Sequence, residues 1–398
     1  AEAYILNHFK IKATTVFQID YLQASYPAIV AILEYLNYTQ KGAFSQIQNI
    51  RPNISNEYCY FDQGVIEHLD LFDKQAGLYG ILNQTKTSMG ARKLKEWIRY
   101  PLINPLNILK RQQKVTGLIQ MNKHQQWSEL VHSISDIERV LGKICAQYNN
   151  PRDMIALRDA LTLSDDIVDF VASLGPIFQN EQLALDKIMA GQGSIKEILN
   201  ELNQALLTEV PTHCRDGGIF KQTYNQELSE LCDSFQDIRN WIKSLEPSLK
   251  DTLDIKSLKV GFNKVFGYYI EIPNAQKDKV PSSFIRKQTL TNAERYITSE
   301  LKEKETIILT AKDQQAILEK KLFEQLREHL ESYVTIIQEF ATIIAEIDAI
   351  LSLAESANKY QFSCPNIIND DSNTLVINGL WHPMVAQNQI ASFIRNDI

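Results

Sequence analysis

LKVGFNKVFGYYIEIPNAQKDKVPSSFIRKQTLTNAERYIT, residues 258–298, decides the fold. Leu258, Val260 and Phe262 alternate with Lys259, Gly261 and Asn263, and Tyr268, Ile270 and Ile272 alternate with Tyr269 and Glu271. A period of two belongs to half-buried strands. Asn263-Lys264 and Gly267 fall between the two runs as a turn or bulge. Residues 286–290 and 294–298 read as a second pair around Thr291-Asn292, with 274–283 as the connection. Four short antiparallel strands are expected. The stretch is also basic: Lys259, Lys264, Lys277, Lys279, Arg286, Lys287 and Arg295 face Glu271, Asp278 and Glu294, a net of +4. The 398-residue chain carries −7, which leaves −11 for the remainder. A basic island on an acidic chain points to a polyanion, and nucleic acid is the simplest one.

Helical sequence flanks the island. Before it, residues 222–245 carry apolar positions at Leu228, Leu231, Phe235, Ile238, Ile242 and Leu245, with Pro247 expected to end or kink the helix. After it, no Gly or Pro occurs from 282 to 364, and 299–360 keeps a helical period almost throughout. Roughly 60 residues at 1.5 Å each would make one helix about 90 Å long. The expected fold is therefore mainly α: a helical core with long antiparallel lever arms that carry a small antiparallel β clamp. The expected domains are 1–42, 43–247, 248–299, 300–360 and 361–398. Within 43–247, helices are predicted over 62–82, 88–99 and 131–148, over 151–173 and 181–189, and across 199–207. Another starts at Asn104-Pro105, Asn104 capping and Pro105 at the first position. Residues 375–377 and 393–394 look like two short strands.

Composition narrows the function. A 44% hydrophobic content supports real cores, and no run of 18 apolar residues could span a membrane. The five cysteines lack paired spacing, which fits reduced thiols in a cytoplasmic protein and not a disulfide frame or a zinc site. The start lacks a signal peptide and an initiator Met, so a piece of a longer protein is expected. Thr85-Lys86-Thr87-Ser88-Met89-Gly90 invites a phosphate-loop reading but lacks the required spacing, and a helix N-terminus with Ser88 near the cap is expected instead. Trp381-His382-Pro383 reads as a turn. No complete catalytic set stands out.

The best constellation is Arg286, Lys287, Gln288 and Thr289 with Asn292, joined by Asn263 and Lys264 of the neighbouring turn. Cations and neutral hydrogen-bonders on a small sheet suit phosphate oxygens. The same residues would equally make a charged, solvated edge that discourages sheet aggregation. Tyr268, Tyr269 and Tyr296 could stack on bases but more often fill a small sheet's core.

LKVGFNKVFGYYIEI followed by FIRKQTLTNAERYITSELKEKE resembles the clamp region of the MutS family of DNA mismatch-recognition proteins. TKTSMGARKLKEWIRYPL (85–102) resembles the start of that family's core and lever, and HFKIKATTVFQIDYLQASYPAIVAILEYLNYTQKGAF resembles the end of its connector domain. LAESANKYQFSCPNI and LWHPMVAQNQIASFIRNDI resemble the opening of its ATPase domain. Departures are also present. The family's mismatch-reading domain and phosphate-binding loop are not matched, Trp381 stands where an Arg is usual, and 73–80 is shorter than usual.

The resemblance implies a clamp that holds duplex DNA by its backbone through Asn263, Lys264, Arg286, Lys287, Gln288, Thr289 and Asn292. Lever helices would couple it to an ATPase domain. It implies ATP and Mg as cofactors of the whole protein and none in this piece, with Phe393, Ile394 and Asn396 forming part of an adenine pocket. It implies a homodimer for the whole protein, a monomer for this piece, a MutL-type partner and a nucleoid-associated cytoplasmic location. Without a phosphate-binding loop, no ATPase activity is expected of this chain. The alternative is a structural or protein-interaction module of a MutS relative in recombination, without DNA affinity of its own.

Overall fold

Short polar side chains set the helix starts. A computed structural model describes the chain except for residues 10–13, 15–21, 41–46, 48–49, 51–56, 74–76, 192, 264–266, 369–373 and 384–393. Its helices are α1 (Glu2–Phe9), α2 (Tyr26–Gln40), α3 (Gln63–His68), α4 (Leu78–Leu82), α5 (Ser88–Arg99), α6 (Pro105–Met121), α7 (His124–Val131) and α8 (Ile137–Cys145). They continue as α9 (Pro151–Thr162), α10 (Ser164–Ser173), α11 (Gln179–Met189), α12 (Ile195–Ala205), α13 (Gln226–Leu253), α14 (Ser299–Glu331) and α15 (Val334–Tyr360). Asn104 accepts from the Leu106 amide at 2.9 Å with Pro105 at the first position, as its sequence predicts. Asp62, Thr87, Asp136 and Asn225 cap α3, α5, α8 and α13 in the same manner. Asn122, Asp254 and Gln361 end α6, α13 and α15 in the left-handed conformation.

The chain divides into two units, one of residues 1–149, 156–200 and 327–398 and the other of 150–155 and 201–326. In the first, α15 is the central element. Ile337, Phe340, Ala341, Ile344, Ile347 and Ala354 along it are all buried. A polar stripe interrupts this apolar surface at Asp348, Ser352 and Ser356, four residues apart and so on one helix face. Ser352 Oγ accepts from the Gln84 amide at 2.7 Å and donates to the Leu82 carbonyl at 2.6 Å. Ser356 Oγ donates to Leu82 at 3.1 Å. Asp348 accepts from the Lys86 and Thr87 amides, the Thr87 hydroxyl and Trp127 Nε1, the last at 2.9 Å. The segment that invites a phosphate-loop reading is the helix start expected of it, with Thr87 as the cap, Ser88 next to it and the protein's own carboxylate as the anion. Gly90 allows this contact, because a Cβ there would overlap Asp348 Oδ2.

The second unit is the sheet and its two helices. Strands β1 (Lys259–Asn263), β2 (Gly267–Pro273), β3 (Ile285–Thr289) and β4 (Ala293–Ile297) form one antiparallel sheet in the order β1-β2-β4-β3. Its register places Phe262 opposite Tyr268 and Ile270 opposite Tyr296. Ile270, Ile272 and Tyr296 on the inner face, with Ile297 at the end of β4, form one buried cluster with Ile238 and Ile242 of α13 and Leu301 and Ile308 of α14. Farther along, Leu231 and Ser234 of α13 line a cavity with Ile317 and Leu318 of α14, so the two helices run antiparallel.

Several expectations are corrected. The predicted 62–82 helix is two short ones, α3 and α4. Pro247 does not end α13, which runs on to Leu253 because Leu249 and Leu253 then reach the core under the sheet. That burial outweighs the one backbone bond a proline forfeits. The single long helix over 299–360 is α14 and α15, broken at Ser332-Tyr333. There the amides turn to carbonyls three residues back, and Ser332 Oγ donates to the His329 carbonyl at 2.7 Å. No helix among the described residues is long and apolar enough to cross a membrane.

Candidate nucleic-acid interface

Two acids from the helices fix the sheet. Glu246 of α13 accepts from the Val260 amide at 3.0 Å, which occupies a donor on the outer edge of β1, and it also pairs with Lys250. These bonds hold its carboxyl below the usual range, the Lys250 contact contributing most. Glu305 of α14 accepts from the Tyr268 amide at 2.8 Å, at the start of β2. Gly267 sits there with φ of 74°, and a Cβ would overlap Glu305 Oε1. Only glycine satisfies both the conformation and the approach.

The sheet's outer face carries a second network. Arg295 lies over the Tyr269 ring at 4.0 Å, bonds Glu271 at 2.9 Å and donates to Gln288 Oε1 at 3.1 Å. Arg295, Glu271 and Gln288 are partners in the strand register and so share this face. On the inner face Tyr296 is buried and donates to Glu294. Burial first, then Glu294, pushes the Tyr296 phenol up to about 12. Tyr268 packs on the core and touches Phe262, with ring centroids 4.9 Å apart.

The predicted contact residues fall into separate places. Arg286 is open, its side chain 61% exposed, with Nη1 3.4 Å from Glu294. Lys287 stands at a bulge in β3, and its Nζ lies 3.8 Å from Glu305 Oε2. Gln288 is taken up by Arg295, while Thr289 is exposed opposite Glu294. Asn292 is exposed in the β3–β4 turn, where its carbonyl accepts from the Asn274 amide at 3.2 Å. Asn263 ends β1 opposite Gly267, on the far edge strand from Thr289 and Asn292. Lys264 lies outside the described residues. The geometry thus groups Arg286, Lys287, Thr289 and Asn292 on β3 and its turn, and it sets Asn263 apart. Sequence reasoning passed over Arg295, Glu246 and Glu305, whose partners lie on other strands or helices.

Ile394 and Asn396, expected beside an adenine, lie at the chain end. Ile394 is 78% exposed, and Asn396 exchanges backbone bonds with Leu380. Ile398 exchanges them with Ile377. Phe393 lies outside the described residues. Trp381 lies between Phe362, with ring centroids 5.7 Å apart, and the Arg395 guanidinium, 5.9 Å above its ring.

A family model described as MutS domain III matches residues 65–354. A Protochlamydia amoebophila protein named DNA mismatch repair protein MutS is 35% identical over 393 residues, covering 97% of this chain and 45% of its own length. An Alkaliphilus metalliredigens protein of the same name is 36% identical over 376 residues, covering 92% of this chain and 42% of its own. The chain therefore spans less than half the length of these relatives. A domain match across most of the chain, together with identity of this level over nearly all of it, places this chain in the MutS family.

Proposed function

We propose that the sheet unit holds duplex DNA by its backbone, without sequence preference, as the gripping tip of a longer mismatch-repair protein. The observation that carries this reading is the +4 island at 258–298 on a chain of net −7, presented on a small sheet at one end of two antiparallel helices. Arg286, Lys264 and the polar Thr289 and Asn292 would meet phosphate oxygens, and Arg295 with Gln288 would shape the outer face. Neutral hydrogen-bonders and cations in that mix position a backbone and do not read bases. The stiff helices α13 and α14 would carry movement between the tip and an ATP- and Mg-dependent ATPase elsewhere in the whole protein. A homodimer that encloses the duplex and a MutL-type partner belong to that whole-protein proposal, as does a cytoplasmic, nucleoid-associated location.

A second reading, an interaction module without DNA affinity, is favoured by one observation. Arg286, Lys287 and Arg295 each already face a carboxylate. Charge reversal separates the two. The triple variant K264E/R286E/K287E should abolish duplex binding by the chain and leave its helical circular dichroism unchanged. Unaltered binding would remove the tip from the DNA interface.

A further inference from the structure

We infer that Glu305 is a built-in competitor for DNA: it holds Lys287 in reserve, so that this cation reaches a phosphate only by leaving a carboxylate that is itself pinned in place. The inference rests on the DNA-gripping reading and deepens it. Glu305 cannot swing aside freely. Its Oε1 accepts from the Tyr268 amide at 2.8 Å, and the missing side chain of Gly267 leaves the space it occupies. That leaves Oε2 turned to Lys287 Nζ at 3.8 Å. The bulge between Arg286 and Gln288 is what gives Lys287 its own direction, apart from its strand neighbours. Arg286 next to it is the contrast, a mostly exposed side chain in looser contact with Glu294.

The ion pair at 3.8 Å, with both side chains partly buried, subtracts one charge from the grip.

The test is a double-mutant cycle in the 398-residue chain with a labelled duplex, using E305Q, K287Q and the pair. The E305Q side chain keeps an oxygen for the Tyr268 amide and loses the charge. Without the Glu305 charge, Lys287 counts as one more neutralised phosphate, so the gain of E305Q over wild type should widen by about 3-fold between 200 and 50 mM salt. K287Q alone should change affinity less than about 2-fold, because Lys287 is held back, and it should erase the gain in the double variant. A flat E305Q ratio, or a gain that survives in the K287Q background, overturns the inference and leaves the grip intact. If E305Q fails to fold by circular dichroism, K287Q decides alone: a loss as large as that of R286Q overturns the inference. No duplex binding by the unaltered chain overturns grip and inference together.

Discussion

Asp348→Ala removes the carboxylate around which the first unit closes. Four donors lose their acceptor: the Lys86 amide, the Thr87 amide and hydroxyl, and Trp127 Nε1. Asp348 and Trp127 are each 1% exposed, so water cannot replace the acceptor without opening the core. The indole, the Thr87 amide and the Thr87 hydroxyl are all buried, and of these only the hydroxyl can rotate away, which leaves two fixed donors stranded. Stranding a buried donor costs about 1–3 kcal/mol, and two such losses give about 4 kcal/mol. Burial already pushes the Asp348 carboxyl upward while these donors pull it down, so the acid is held at a cost that only the full set of bonds offsets. Asp348→Asn keeps one oxygen and should lose about half as much. Gly90→Ala should approach the alanine variant, since its methyl would occupy the place of Oδ2. Urea unfolding followed by circular dichroism measures each loss. A cost for Asp348→Ala below about 1 kcal/mol would refute the argument, because it would mean that the donors find other partners.

Two further predictions concern the sheet. Gly267→Ala places a side chain at positive φ and displaces Glu305, so it should cost at least about 2 kcal/mol and loosen the start of β2, read as faster exchange of the Tyr268 amide; exchange as in the parent would contradict it. Tyr296 should keep its proton to about 12, against 10.0 unfolded. The native state then holds a proton that the unfolded state gives up, so this stabilisation is complete below pH 10 and is lost as pH rises to about 12. The absorbance difference between the parent and Tyr296→Phe should titrate near that upper value, and a midpoint near 10 would be the contrary result.

Local chemistry was legible in the sequence, and distant partners were not. Alternation over 258–272 gives β1 and β2 because side chains on a strand must point to opposite faces. Asn104-Pro105 announces α6 because both residues act within one turn. The break at Ser332-Tyr333 has neither Gly nor Pro to mark it and arises from a serine hydroxyl taking a backbone carbonyl. Asp348 and Thr87 are 261 residues apart, and nothing near either one announces the pair. The same holds for the site. The basic residues of the tip can be counted from sequence, but their strand register, Glu271 and Glu294 on neighbouring strands and Glu305 of α14 decide which are available.

The central claim is that the tip grips phosphates. The most direct measurement is duplex affinity of the 398-residue chain across a salt series, with matched and mismatched duplexes. If about four phosphates are neutralised, log K should fall against log salt with a slope near −3.6, equal for both duplexes. No binding at low salt would contradict the account.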